Sequence, residues 1–251
     1  MVKDFMQEIY TIPNRHGETI EVIANSVTSL KGTAFIHHGD PGAAKSPTIQ
    51  LMRKTFNDLG LNTIAPNTTN NYNAAAGNLE DMTLAGHCDD LEDVIRHAIS
   101  QESFTGPYVV SGHSAGGHSA LVVSSRLTGA DSPALTIASA PVISGQSFID
   151  AWERLIGREK MQAWQKDGFQ YGYSDAGPDR LKIHWPVMEE WAKHDLTRDK
   201  VRPDNYTAVI HPKEDPFIPE GSVLPYILEN NIEAFHSITR ADHCYTGRED
   251  A

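Results

Sequence analysis

Tyr108-Val109-Val110-Ser111-Gly112-His113-Ser114-Ala115-Gly116-Gly117-His118-Ser119-Ala120-Leu121-Val122-Val123 is a β-branched run that stops at Gly112, bends, and restarts as an apolar helical pattern beyond Gly117. A strand that turns into a helix within two residues strains the residue at its apex, and the strain is tolerated only where the neighbours two positions away lack bulk. Gly112 and Gly116 supply that space around Ser114. The pattern holds the Ser114 hydroxyl proud of a sheet and sets the Ala115 N–H at a helix N-terminus, where a developing anion is favoured.

Working outward, Gly32 to His38 reads as a buried strand ending at Gly39-Asp40-Pro41-Gly42, followed by a helix from Pro47 to Leu59 with Ser46 as N-cap. Leu61 to Ala65 is a strand stopped by Pro66, and Leu79 to Ser100 a helix with Leu91, Val94, Ile95, Ala98 and Ile99 on one face. Its other face carries Asp89, Asp90, Glu92 and Asp93, which lack the glycine turn of a calcium loop and read as solvated. Ala134 to Ala140, Asn205 to His211 and Ile232 to Ile238 complete the buried strands, with a short helix over Val223 to Asn230. Residues 7–12 and 18–26 alternate as a hairpin around Asn14-Arg15-His16-Gly17. Apolar strands alternating with helices indicate an α/β chain with a mostly parallel sheet covered on both faces.

Composition shifts near Ser144. Residues 145–200 are helical in pattern and hold all four tryptophans, Trp152, Trp164, Trp185 and Trp191. The expected organisation is therefore a core of residues 1–144 and 201–251 and a small helical cap of 145–200. An insertion between core strands lies at the strand ends, which here places it over Ser114. Its tryptophans are candidate substrate-binding residues, while some of the aromatic side chains must form the cap's own core.

Serine is a poor nucleophile until a base takes its proton, and the base needs a carboxylate to orient it. In the chain order Ser, Asp, His, the acid is expected in His211-Pro212-Lys213-Glu214-Asp215-Pro216, as Asp215 or Glu214, and the base is His243, which follows the final strand. The second oxyanion donor falls to the backbone N–H of Asp40, beside that of Ala115. A carboxylate facing the oxyanion would be repulsive, so the Asp40 side chain is expected to turn away to Lys45 or to local backbone donors. His113 and His118 flank the nucleophile as packed or hydrogen-bonded residues, and His37, His38 and His211 sit at strand ends, able to approach one another. No H-E-x-x-H or paired-cysteine spacing occurs, so no metal is expected.

The formal charge of −12 over 251 residues disfavours nucleic acid and anionic lipid. No apolar run reaches the about 20 residues needed to span a bilayer, nor does the N-terminus carry one of signal-peptide length. Cys88 and Cys244 are the only cysteines and form no disulfide framework. The expectation is a cytoplasmic protein, with homo-oligomerisation left open.

From Lys31 to Tyr245 the chain resembles the α/β-hydrolase superfamily, through His38-Gly39, Gly112-His113-Ser114-Ala115-Gly116-Gly117, the Asp215 to Pro219 loop and Asp242-His243-Cys244-Tyr245. Within it the resemblance is to small capped esterases, including cinnamoyl and feruloyl esterases and monoacylglycerol-lipase-like enzymes. It implies an eight-stranded sheet, Asp215 rather than Glu214 as the acid, and acyl-enzyme chemistry at Ser114. It also implies a lid between the sixth and seventh strands that shapes the acyl pocket. The expected function is cofactor-free hydrolysis of a small or medium carboxylic ester. The same triad serves amides, thioesters and carbon–carbon bonds, and the fold also serves non-enzymatic ligand binding.

Overall fold

The computed structural model describes residues 5–246 apart from 29, 103 and 105. Its centre is an eight-stranded sheet in the order β1-β2-β4-β3-β5-β6-β9-β10, formed by Phe5–Pro13 (β1), Thr19–Val27 (β2), Gly32–His37 (β3), Leu61–Asn67 (β4), Tyr108–His113 (β5), Leu135–Ser139 (β6), Tyr206–Pro212 (β9) and Ala234–Ile238 (β10). The expected N-terminal hairpin is β1–β2. Strand β2 runs antiparallel to both its neighbours, and the pairs from β4 through to β10 are parallel.

Every residue of β3 and of β5 is buried, which is why these strands read as continuous apolar runs. Alternation along β3 divides the core. Ala34 and Ile36 pack with Ile49 and Phe56 of α1 (Pro47–Asp58), while Phe35 turns to the other face with Leu91 and Ile95 of α2 (Leu84–Ile99) and Leu121 of α3 (Ala115–Arg126). The remaining core helix is α7 (Glu220–Glu229). Among the described residues, no helix is long and apolar enough to cross a membrane.

Three local expectations are corrected. Pro66 does not stop β4 but lies inside it, opposite Val22, beyond the last pair with β3; paired on one side only, the strand tolerates a residue without an N–H. The helix expected from Leu79 is interrupted: Leu79–Asp81 is a single 3-10 turn, and α2 starts at Leu84 because the Thr83 hydroxyl caps it, accepting from Gly86 N–H at 3.0 Å. Ser46 stands at the N-cap of α1 without capping it.

The acidic face of α2 is not solvated. Asp90 and Glu92 are buried. Asp90 accepts the Thr69 N–H and O–H at 2.7 Å each and the Asn14 amide at 3.0 Å. Arg15 pairs with Asp93 at 2.8 Å and Asp89 at 3.2 Å, and Arg126 with Asp89 at 2.8 Å and Glu92 at 3.2 Å. The carboxylates knit the hairpin turn and the end of α3 to α2.

Between β6 and β9 the chain leaves the sheet as α4 (Gly145–Ile156), α5 (Arg158–Asp167), a hairpin of β7 (Phe169–Tyr173) and β8 (Arg180–His184), and α6 (Trp185–Trp191). The insertion is thus not wholly helical. Phe169, Tyr171 and Tyr173 alternate at the strand period, with Gly177-Pro178 in the turn, a signal the helical reading passed over. Met161, Trp164 and Met188 form its own small core.

The elbow leaves no room for a side chain at its glycines. A Cβ on Gly116 would lie 2.2 Å from the His37 carbonyl oxygen and 2.4 Å from that of His38, both backbone atoms that cannot swing aside. Gly116→Ala is therefore expected to cost about 3 kcal/mol or more and lower Tm by roughly 6–12 °C. Gly221→Ala, in α7 with open space around it, should leave Tm unchanged or raise it. Equal melting of the two variants would contradict this account.

Candidate active site

The chain passes from β3 to β4 on one side and then returns to β5 on the other, so the loops after β3 and β5 part around a crevice at the carboxyl ends of the strands. Ser114 opens the loop after β5, Gly39-Asp40 follows β3, the insertion leaves after β6, Asp215 follows β9 and His243 follows β10. Topology alone gathers them at one edge.

Ser114 has φ 58° and ψ −120°, outside the helical region that begins one residue later. Its N–H donates to Ser139 at 2.9 Å and its carbonyl accepts from His118 at 3.0 Å, so the strained conformation is held from both sides. Gly117 lies close to Ser139 and Pro141, and Gly39 packs on the serine so tightly that a Cβ there would stand 3.0 Å from Ser114 Cβ and 3.5 Å from Oγ.

His243 and Asp215 meet at 2.6 Å between Nδ1 and Oδ2. Asp215 Oδ1 accepts the N–H groups of Phe217 and Ile218 at 2.9 Å each. Burial pushes the Asp215 carboxyl up, but the hydrogen bond and charge of His243, with those two N–H groups, bring it below the usual carboxylate range. An ionised acid so held directs the His243 Nδ1 proton to itself and leaves Nε2 to act as base. Glu214 is engaged elsewhere, accepting from Ala241 N–H at 3.3 Å. The structure brings Asp215 to the histidine and not Glu214.

His113 is packed rather than a second base: its Nε2–H donates to the His243 carbonyl at 2.7 Å, and the two rings lie 4.7 Å apart. The loops that carry Ser114 and His243 are thereby tied directly. His118 donates Nδ1–H to the Val142 carbonyl at 2.8 Å. His37 and His38 do approach each other, with His87 as a third ring 4.0 Å from His37, whereas His211 stands apart and bonds the Ile218 carbonyl. His38 Nδ1–H donates to the Gly39 carbonyl at 2.7 Å while Nε2 accepts from Thr68, which orients the loop carrying Asp40. Among the described residues no group of three or more His, Cys, Asp or Glu side chains is arranged to hold a metal ion.

Ser114, His243, Gly39 and Asp40 wall a cavity of about 210 Å³, together with Phe148, Trp152, Phe217, Tyr173, Asp175 and Cys244. Among the described residues Ser114 Oγ has no hydrogen bond to His243, although both line this cavity. The N–H groups of Asp40 and Ala115 donate to no protein acceptor among the described residues, as an oxyanion site requires. The Asp40 side chain departs from expectation. Lys45 is exposed and does not pair with it, and burial instead pushes the carboxyl up to about 7, with Asn71 only partly offsetting the rise. Partial neutralisation of the carboxyl, rather than its orientation, would ease repulsion of an oxyanion.

A second cavity of about 300 Å³ lies within the insertion, walled by Trp152, Trp164, Trp191, Ile156, Ile183 and Met188, among others. Asp40, Pro41, Phe148, Trp152 and Tyr173 belong to both, so the two chambers meet along that wall. Trp185 lines neither: it meets Trp164 edge to face, with ring centroids 5.5 Å apart, and donates Nε1–H to Glu189 at 2.9 Å. Phe148 and Phe217 were not among the sequence candidates, although Phe217 follows Asp215 by two residues and packs 5.5 Å from the His243 ring.

No protein-family model matches the chain. No curated protein matches it either. Among solved structures, Est1E from Butyrivibrio proteoclasticus with ferulic acid bound superposes with a TM-score of 0.74 at 16% identity, covering 96% of this chain and 93% of that one. A putative hydrolase from Agrobacterium vitis S4 gives 0.75 at 15% identity, over 99% and 96% of the two chains. The esterase Pf2001 of Pyrococcus furiosus gives 0.67 at 13%, over 97% and 85%. At such identities the likeness shows the fold.

Proposed function

We propose that this chain, an α/β hydrolase by fold, is a serine hydrolase that cleaves a small or medium carboxylic ester. One observation carries the reading: a strained Ser114 shares a cavity with His243, whose Nδ1 is bonded to a buried Asp215. In the reaction Ser114 Oγ attacks the ester carbonyl as His243 Nε2 takes its proton, and Asp215 stabilises the imidazolium. The tetrahedral oxyanion is received by the N–H groups of Ala115 and Asp40. His243 then protonates the departing alcohol, leaving an acyl group on Ser114 that a water, activated by the same histidine, removes.

The insertion acts as a cap, and its apolar chamber receives the acyl group. The ferulic acid in the bacterial structure is an aromatic acid, and a chamber walled by three tryptophans suits such a group. Labelling by a fluorophosphonate probe tests the nucleophile: wild type should label, and Ser114→Ala should not. An unlabelled wild-type protein would sink the reading.

The cap makes a separate prediction. Because all four tryptophans lie in it, a slow acyl inhibitor should shift intrinsic fluorescence on binding. Trp152→Ala, which opens both chambers, should change acyl-chain preference about tenfold or more, while Trp185→Ala, outside both, should not. Identical acyl profiles for the two variants would place the specificity pocket elsewhere.

A further inference from the structure

Building on the serine-hydrolase reading, we propose that Asp40 determines specificity, selecting acyl groups that carry a hydroxyl within two or three carbons of the scissile carbonyl. The apolar remainder of the acyl group then lies beyond it in the aromatic chamber. Position is the first ground. Gly39 packs against Ser114, and Asp40, the next residue, shares with Ser114 the wall of the cavity in which the reacting carbonyl would lie. Asp40 is also the one carboxyl that walls both chambers, and an acyl group running from Ser114 into the larger one passes it.

The second ground is the setting of the carboxyl. Asp40 Oδ1 is shielded from solvent and the Asn71 amide lies against the carboxyl; among the described residues no other group bonds it, so Oδ2 is the oxygen open to the cavity. Asn71 is held in place by its own oxygen, which accepts from the N–H groups of Gly42 at 3.0 Å and Tyr72 at 2.8 Å. A hydroxyl on the acyl group that bonds Asp40 Oδ2 replaces the water both groups give up on binding, and an acyl group without one leaves the oxygen unmet. The neighbouring Asp175 is already engaged, accepting from the Ser46 hydroxyl at 2.7 Å.

Charge fits the same role. With its carboxyl pushed up to about 7, Asp40 is about half neutral near pH 7, which lessens its opposition to the oxyanion, and in the neutral form it can both donate to and accept from a hydroxyl.

The test compares p-nitrophenyl 3-hydroxyoctanoate with p-nitrophenyl octanoate, on enzyme whose active fraction is counted by fluorophosphonate labelling. Wild type should show a kcat/KM ratio of about tenfold or more in favour of the hydroxylated ester, since a site built around a hydrogen bond discriminates strongly against the analogue that lacks it. Asp40→Leu should bring the ratio to near one, and Asp40→Asn, which keeps a donor and an acceptor, should retain most of it. If Asp40→Leu does not fold, Asp40→Ala carries the same expectation. A wild-type ratio near one in labelled enzyme, or a ratio that survives both apolar replacements, overturns the inference and leaves the serine-hydrolase reading intact. Failure of wild type to label overturns both.

Discussion

Ser114→Ala is expected to lower kcat on an activated ester by at least about 10³, and His243→Ala by a similar factor. The two act as one unit: without Oγ there is nothing for the imidazole to deprotonate, and without the imidazole the hydroxyl stays protonated. The double variant should therefore be scarcely worse than either single one. Asp215→Asn should cost somewhat less, because the Phe217 and Ile218 N–H groups still hold the side chain while its charge and its preference for one histidine tautomer are lost. Glu214→Gln should have little effect, since that carboxylate only accepts from Ala241 N–H. Near wild-type turnover in Ser114→Ala, or multiplicative losses in the double variant, would refute the assignment.

Acid should unfold the protein unusually early. His37, His38, His87, His113 and His118 are all buried, and burial lowers each of them, to about 4 for His38 and His118, about 3 for His113, and well down for His37 and His87. These groups are neutral in the folded chain but take up protons in the unfolded chain near the ordinary histidine value of about 6.5. Above that pH they do not affect stability; as pH falls below it, the unfolded state binds more protons and stability drops until the folded values are reached. Each group contributes a slope of up to about 1.4 kcal/mol per pH unit, so five together exhaust a typical stability of about 5–15 kcal/mol within roughly one to two units. Asp40 and Asp90, raised by burial, work in the opposite sense but are fewer. Thermal melts should fall steeply from pH 7 to pH 5, with loss of tertiary signal near pH 5. His118→Gln should flatten the slope by about one proton. A Tm unchanged across that range would show that these histidines are not held neutral.

What was legible beforehand was whatever depends on short-range pattern or chain order. The Gly112 to Gly117 bend is local, and the acid and base loops follow from which strand each succeeds. Long-range partners were not legible. The carboxylates of α2 read as solvated because Arg15 and Arg126, which neutralise them, lie 78 residues before Asp93 and 37 beyond Asp89. Repulsion between Asp40 and an oxyanion is a local expectation, whereas the burial that raises its carboxyl depends on packing between distant segments, and no spacing encodes that. Tryptophan content marked the insertion as aromatic without telling Trp152, which faces the site, from Trp185, which does not. His87 escaped notice because a histidine inside a helix becomes meaningful only when β3 is packed against it.

The turn between β7 and β8 reaches back to the core. The Ser174 hydroxyl donates to the Pro41 carbonyl at 2.7 Å, Ser46 donates to Asp175 at 2.7 Å, and Tyr72 donates to Asp179 at 2.6 Å. These bonds land on the loop that carries Asp40 and on the segment that follows β4. For anyone exchanging caps between enzymes of this architecture, the unit of inheritance is therefore not residues 145–200 alone. A chimera that imports a foreign insertion must import the partner's counterparts of residues 40–46 and 72 as well, or the new insertion will sit above a loop after β3 that has lost its tether.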